Sequence, residues 1–368
     1  MMDGTTHPSL RIALIAEDRL TYLSEGYPED SCAALTHSGE IQAVFDALTE
    51  LGHSVTLIPG IQALVRELAD GKHATWDLAF NMAQGFHGPA REVQIPALLD
   101  AYRIPYTFSD TETMALCQNK GTTKIVLNHY KIPTAPFQVI SNKSGTSGKD
   151  NTLIMKSAQT LPSYPLFVKP IAEGSSKGIE TFNKINDAAT LHRVVQNLKR
   201  KFPDQDILVE PFLPGREFTI SILGTGPKSR VIGIREHLWK KKEPLSNGRV
   251  KNATNDYHTT LDFANRESKG AGTKLLAWND EHDFTNPEIE TACRVALAAW
   301  NVLGCRDAGR VDLRFDSEEP DAVPDVLEVN PISGLLPGHS PLPASAERNG
   351  ISFKQLIAAI VGSAIQRT

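Results

Sequence analysis

The chain has 368 residues, enough at about 150 residues per domain for two or three domains and a sizeable core. Hydrophobic residues are 40% and charged residues 22%, which excludes wholesale disorder. With 38 Lys and Arg against 43 Asp and Glu the net charge is −5, so bulk charge supports neither a nucleic-acid partner nor a polybasic membrane surface. Cys32, Cys117, Cys293 and Cys305 form no C-x-x-C pair, which leaves no zinc ribbon or thioredoxin motif and fits a reducing compartment. Residues 1–10 lack the apolar run of a secretory signal. The most apolar stretch, residues 295–303, is far short of the about 20 residues a bilayer span needs. A cytoplasmic location is expected.

The predicted elements begin with a buried strand, Arg11–Ala16. Ile41, Val44, Phe45, Leu48 and Leu51 then recur at helical spacing, with Gly52 as the stop. Strands follow at 54–58 and 77–82, a short helix at 94–102 and extended chain at 104–106. This β-α-β series implies a parallel sheet covered by helices. A first boundary falls near Asp110. Beyond it come a helix at 120–130, a strand at 137–140 and a Gly/Ser/charge-rich run at 141–151 that reads as a solvated loop. A strand at 165–170, a small-residue loop at 173–178, a helix at Ala188–Lys201 and a strand at 206–210 complete the middle. After Leu213 come a strand at Glu217–Leu223 and a basic, polar segment at 239–257 that reads as a mobile loop. Asn286-Pro287-Glu288 opens a helix that Gly304 stops. Strands at 310–315 and 325–330 form a pair, and a helix at Phe353–Ile365 closes the chain. There is no internal repeat.

Three constellations could carry chemistry. In Arg310-Val311-Asp312-Leu313-Arg314 and Leu327-Glu328-Val329-Asn330, alternate polar residues share one face. A hairpin register could set Asp312 opposite Glu328 and Asn330. Three oxygen donors on two strands suit Mg²⁺, although a hairpin with a solvated polar face shows the same alternation. In Phe167-Val168-Lys169-Pro170, followed by Glu173-Gly174-Ser175-Ser176-Lys177-Gly178, a lysine on an apolar strand precedes a loop whose backbone could cradle phosphates. A lysine snorkelling before a surface turn gives the same pattern. In Leu208-Val209-Glu210-Pro211-Phe212-Leu213-Pro214-Gly215-Arg216-Glu217, Glu210 and Glu217 flank a link that could pass along a nucleotide, or are exposed acids beside a Pro-Gly turn.

In this order, FVKP…EGSSKG, LVEPFLPGREFT, GRVDLRF and LEVNPISG resemble an ATP-grasp enzyme, with the D-alanine–D-alanine ligases as the nearest kin. The resemblance runs from about Asp110 to the end and weakens before it. It implies an α/β fold, α+β in its later parts: an N-terminal Rossmann-like parallel-sheet domain (1–110), a central ATP-grasp domain (111–213) and a C-terminal ATP-grasp domain (214–368). It also implies roles. Lys120 and Lys169 would hold ATP phosphates. Glu210, Leu213 and Glu217 would frame the adenosine, and Glu173 would start the loop over the nucleotide. Asp312, Glu328 and Asn330 would bind two Mg²⁺ ions, with Mn²⁺ as a substitute. Arg310 and the Gly334 backbone would stabilise a tetrahedral intermediate. Ser175 would sit at the acceptor end, and Ser340 would contact a substrate carboxylate with one extra residue between it and Gly334.

The implied activity is an ATP- and Mg²⁺-dependent ligation of a carboxylate to an amine through an acyl phosphate. Both substrates are small molecules, and a homodimer is left open. True D-alanine–D-alanine ligase is one alternative. An ATP-grasp kinase and a catalytically silent nucleotide-binding module are others. Departures from the family pattern lie in the first hundred residues. Its D-alanine-specific members carry an early Gly-rich loop ending in a glutamate that binds the first substrate's amine. Here residues 17–40 are a longer acidic stretch without that motif, and Glu40 opens the next helix without a secure match. The family's His-Gly segment reads Asn81-Met82-Ala83-Gln84-Gly85-Phe86-His87-Gly88, and its mobile-loop lysine–tyrosine pair is not evident at 239–257. Gln84 and Arg91 follow a strand end, where open α/β sheets place a ligand crevice. Arg91 is therefore expected to pair a substrate's anionic group, or else to form a surface pair with Glu92. D-alanine alone is expected to be a poor substrate.

Overall fold

A computed structural model describes residues 9–142, 153–156, 161, 164–175, 177–238 and 277–367. β1 (Arg11–Ala16) is buried from Ile12 to Ala16, as a central parallel strand must be. It lies between β2 (Ser54–Pro59) and β3 (Leu78–Asn81), parallel to both. The expected extended chain after residue 104 joins this sheet through a parallel bridge between Tyr106 and Ala79. Four helices accompany the sheet: α1 (Arg19–Ser24), α2 (Ser38–Glu50), α3 (Gly60–Ala69) and α4 (Gln94–Ala101).

The acidic stretch after β1 closes on itself. The Thr36 N–H donates to the Glu17 carbonyl at 3.1 Å, and the Arg19 N–H donates to the Thr36 carbonyl at 2.9 Å. Its two ends therefore meet, and α2 starts near the strand end that the stretch left. Buried Ile41, Val44, Ala47 and Leu48 seat α2.

α5 (Thr111–Gln118) and α6 (Lys120–His129) come next, capped by Asp110 and Asn119. Cys117, Leu127 and Ile132 share a core with Ile220 and Trp300 of the last segment. From Gln138 the chain builds a separate antiparallel sheet: β4 (Gln138–Ile140), β5 (Leu153–Lys156), β6 (Leu166–Pro170), β7 (Lys184–Ile185) and β8 (Ile207–Pro211), ordered β5-β4-β8-β6-β7. α7 (Ala188–Lys201), capped by Asp187, covers it with Val194, Val195 and Leu198. Most of the 141–151 run and all of the basic 239–257 segment lie outside the described residues.

The last sheet is antiparallel and ordered β11-β10-β9-β12-β13: β9 (Glu217–Leu223), β10 (Arg230–Leu238), β11 (Ala277–Asn279), β12 (Ala308–Phe315) and β13 (Pro324–Asn330). α8 (Pro287–Val302) starts at the expected Asn-Pro signal, with the Asn286 side chain accepting the Glu288 N–H. α9 (Pro341–Arg348) and α10 (Phe353–Ile365) follow. Leu356, Ile357 and Ile360 of α10 join Leu14, Val44 and Leu48 in one core, so the first and last segments are packed together. Buried Asp307 reinforces that join: its carboxylate accepts the Phe108 N–H at 2.7 Å and pairs with Arg367, which donates to the Tyr106 carbonyl at 3.0 Å. No helix among the described residues is long and apolar enough to cross a membrane.

Gly309 shows how closely β12 is held. A Cβ there would lie 2.4 Å from the Asn330 carbonyl and 2.6 Å from the Trp300 ring. Backbone on one side and a fully buried indole on the other cannot yield cheaply. Gly309→Ala should lower unfolding stability by about 1–3 kcal/mol, read as a shifted urea midpoint with an unchanged slope.

Candidate active site

One cleft, of about 310 Å³, is bordered by all three segments. Every site residue expected from the sequence lies on its wall except Arg91. At one end, Lys169 of β6 lies with its Nζ 2.6 Å from Glu210 Oε1, and Lys124 of α6 approaches Glu210 Oε2 at 2.9 Å. All three side chains are buried. Burial alone would push the Glu210 carboxyl up, but Lys124 and Lys169 outweigh it and hold the group at about 2. Burial lowers the Lys124 ammonium, with Glu210 opposing it and Lys169 adding to the shift. Lys124 also donates to Thr134 Oγ1 at 2.9 Å. Sequence reasoning missed this lysine, although it stands four residues from Lys120 and so on the same face of α6. Glu210 is not an exposed acid beside a turn, and Lys169 is not a snorkelling surface lysine.

The hairpin register differs slightly from expectation. Asp312 stands opposite Glu328, while Asn330 stands opposite Arg310, with an irregularity after Asp312. The polar face is nonetheless drawn together. Asn330 Nδ2 lies 3.0 Å from Asp312 Oδ2 and 3.3 Å from Glu328 Oε1, and the Thr219 hydroxyl donates to Asp312 Oδ1 at 2.7 Å. Arg310 Nε lies 3.2 Å from Asp312 Oδ2, and Lys120 Nζ lies 3.1 Å from Glu328 Oε2. Burial pushes the Asp312 carboxyl up, Arg310 opposes it and Glu328 adds to the rise. At Glu328 the push of burial is overcome by Lys120, Arg310 and Lys169, and the carboxyl is held at about 2. Two converging carboxylates and an amide form a hard-oxygen donor set, so these residues fit Mg²⁺. Glu217, on the same wall, pairs with Arg314 at 3.0 Å; burial nevertheless raises its carboxyl to about 7.

Elsewhere on the wall are Gln84, Gly334, Ser340 and Glu40. The Glu40 carboxylate accepts the Leu335 N–H at 2.5 Å, and burial pushes it up to about 7 against that bond. Ser340 Oγ accepts the Leu336 N–H at 3.2 Å. A Cβ on Gly334 would lie 2.8 Å from Ser340 Oγ, so the glycine keeps this wall open. A carboxylate thus does stand where the sequence pattern left none. Its signal is faint: a glutamate in the first turn of a capped helix, brought to the cleft by the closure of the preceding stretch.

Arg91 requires correction on both expectations. It is buried, so it forms no surface pair with Glu92, and its guanidinium turns from the cleft to the Ala172 carbonyl (3.2 Å) and Glu173 (3.5 Å). Glu173 borders the cleft, but its carboxylate is taken by Arg91, Lys177 and Gln205, leaving it a structural role at the start of the loop. Ser175, next along, has left-handed backbone (φ 49°) and faces the cleft.

The Lys124–Glu210–Lys169 cluster makes a stability prediction. Glu210→Gln would leave two buried ammonium groups without their counter-charge and should cost about 3–5 kcal/mol at neutral pH. The depressed carboxyl stabilises the fold fully above its ordinary value of 4.5 and loses that contribution as pH falls toward about 2. Urea unfolding should therefore show the gap between wild type and variant narrowing in acid.

A family model described as D-ala D-ala ligase C-terminus matches residues 126–362. A D-alanine–D-alanine ligase of Gluconobacter oxydans is 30% identical, over 90% of this chain and 94% of that protein. Another, from Rhizorhabdus wittichii, is 29% identical over 98% of each. Among solved structures, the D-alanine–D-alanine ligase of Bacillus anthracis complexed with ATP matches with a TM-score of 0.66 over 98% of each chain; at 18% identity that likeness concerns the fold. The expected ATP-grasp fold is borne out, and the chain belongs to the D-alanine–D-alanine ligase family of ATP-dependent, ADP-forming carbon–nitrogen ligases.

Proposed function

We propose that this ligase joins two amino acids, activating the carboxylate of the first and accepting the amine of the second. The observation that carries the reading is the register of β12 and β13, which sets Asp312, Glu328 and Asn330 on one cleft wall with Lys120 and Lys169. A carboxylate acylates poorly because its leaving group is oxide. Transfer of the γ-phosphoryl group of ATP to a carboxylate oxygen releases ADP and gives an acyl phosphate. The amine then attacks the carbonyl carbon, loses a proton and expels phosphate. Lys120 and Lys169 neutralise phosphate charge, and Arg310 and the Gly334 N–H meet the developing oxyanion. Asp312, Glu328 and Asn330 would hold Mg²⁺, which supplies further charge neutralisation on the phosphates. No protein nucleophile is required.

At the other part of the cleft, Glu40 is suited to an α-ammonium group. With Glu40 on the cleft wall, the site does hold a carboxylate of the kind an α-ammonium needs, and D-alanine is not disfavoured. The neighbouring wall of Ala33, Ala34, Leu35 and Thr36 favours a small side chain. The names of the relatives favour D-alanine for both positions.

The test is a screen of amino acids, singly and in pairs, for phosphate release from ATP, with product mass. The expected product weighs the two substrates less one water. Phosphorylation without a joined product would establish the kinase alternative, and absence of all turnover the silent module. Asp312→Asn and Glu328→Gln should each cut turnover by about a hundredfold or more under limiting Mg²⁺, because several kcal/mol of charge stabilisation are lost. Unfolding should stay cooperative in both, with a lower midpoint in Glu328→Gln, where buried Lys120 loses its partner.

Glu40 gives a pH signature. Its carboxyl lies at about 7, and only the ionised form holds an ammonium. The amino-acid KM should therefore rise as pH falls through that value. Glu40→Gln should raise KM about tenfold or more, the size of a charge-assisted hydrogen bond, and flatten its pH dependence. A pH-dependent KM that survives in Glu40→Gln would place the ammonium elsewhere.

A further inference from the structure

Arg91 belongs to the first segment, yet its buried guanidinium spends its donors on the middle one. Nη1 donates to the Ala172 carbonyl at 3.2 Å, and Nη2 reaches Glu173 Oε2 at 3.5 Å. The Glu173 carbonyl in turn accepts from Lys120 Nζ at 2.6 Å, and Lys120 stands 3.1 Å from Glu328. Glu173 also opens the Gly174-Ser175 turn on the cleft wall.

The mount behind Arg91 is rigid. A Cβ on Gly85 would lie 2.2 Å from the Arg91 carbonyl, so the two backbones are in close contact. The Gly85 N–H donates to Glu17 Oε2 at 2.7 Å, just after β1, and Glu17 is buried. The neighbouring Glu92 exchanges bonds with Gln118 of α5 at 3.4 Å in both directions. The start of the turn beyond Glu173 is open, whereas its far end is packed: a Cβ on Gly178 would lie 2.7 Å from the Phe202 ring, and the Gly178 carbonyl accepts from Asn183 Nδ2 at 2.9 Å. Nothing lies within 4 Å of a Cβ built on Gly174, and both Ser175 and Gly178 have left-handed backbone. Among the described residues, the open Gly174-Ser175 end has few side-chain contacts to order it, so the position of that end depends on Glu173.

We propose that Arg91 is a positioning residue for the nucleotide's terminal phosphates: held by the first segment, it helps fix Glu173 at Oε2, while Gln205 and Lys177 of the middle segment hold the same carboxylate, and through Glu173 it sets both the Gly174-Ser175 end of the turn and the Lys120 ammonium. The inference rests on the ligase reading for the identity of the nucleotide. It opposes direct substrate recognition by Arg91, since the loss would fall on phosphate binding and spare the amino acid at Glu40.

Calorimetric titration of the full chain, with Mg²⁺, separates the possibilities. The ligands are a non-hydrolysable ATP analogue and AMP, which lacks the β- and γ-phosphates. Arg91→Ala should bind the analogue about tenfold more weakly, the size of one charge-assisted hydrogen bond, and AMP as wild type does. Glu173→Gln should behave alike, and the double variant should be no weaker than either single one, because the residues act as a pair. Arg91→Lys, which keeps the charge but not the two-pronged geometry, should fall between and supplies the comparison if Arg91→Ala does not fold. Wild-type affinity for the analogue in the variants, an equal loss for AMP, or additive losses in the double variant would overturn the proposal. A wild-type chain that binds neither nucleotide would overturn both this inference and the ligase reading; wild-type binding with Arg91→Ala unaffected overturns this inference alone.

Discussion

Charge buried without a partner is the constraint on which this molecule turns. Lys120, Lys124, Lys169 and Glu210 are all withdrawn from water, and an isolated ion in such surroundings is severely unfavourable. Each is therefore met by a group from another element. Lys124 and Lys169 approach Glu210 from α6 and β6, and Lys120 bridges α6 to β13. The same pairs that neutralise the cleft bind its walls to one another. The charged groups proposed to meet phosphate are thus held by the fold's own ion pairs, as electrostatic stabilisation of a transition state requires.

That constraint also explains which parts of the fold were legible in the sequence. β12, β13 and α8 could be read because their signals are local: period-two alternation in the strands, and the Asn286-Pro287 start and Gly304 stop of the helix. β10 was not read, because Arg235, Glu236 and His237 look like surface chain. Their partners are distant in sequence: Asp280 for Arg235, Arg216 for Glu236 and Thr219 for His237. α9 was hidden by Pro341 and Pro343, which suggest a break but sit in its first turn, where a missing N–H costs nothing.

The site shows the same division. Glu328 and Asn330 share a face by the alternation of β13, and Asp312 comes opposite Glu328 through a hairpin register that the spacing allows and the folded pair supplies. Arg91 and Lys124 were misjudged or missed because their partners lie 82 and 86 positions away, at Glu173 and Glu210. Periodicity shows which way a side chain faces along its own element. It does not show what another element brings opposite it.

Glu40 adds the last step. Backbone hydrogen bonds between Glu17, Arg19 and Thr36 close the acidic stretch irrespective of most of the side chains within it. Sequence there can drift in length and composition without moving α2, so a motif defined by spacing fails while the carboxylate stays on the cleft wall. The Asp312–Glu328–Asn330 end is built on strands, where a one-residue slip would turn those side chains to the opposite face. The Glu40 end of the cleft is built on a closed loop and a helix start, where such a slip is absorbed. The ligase motifs are accordingly readable in the sequence, whereas the Glu40 end is formed by contacts that only the folded chain brings together.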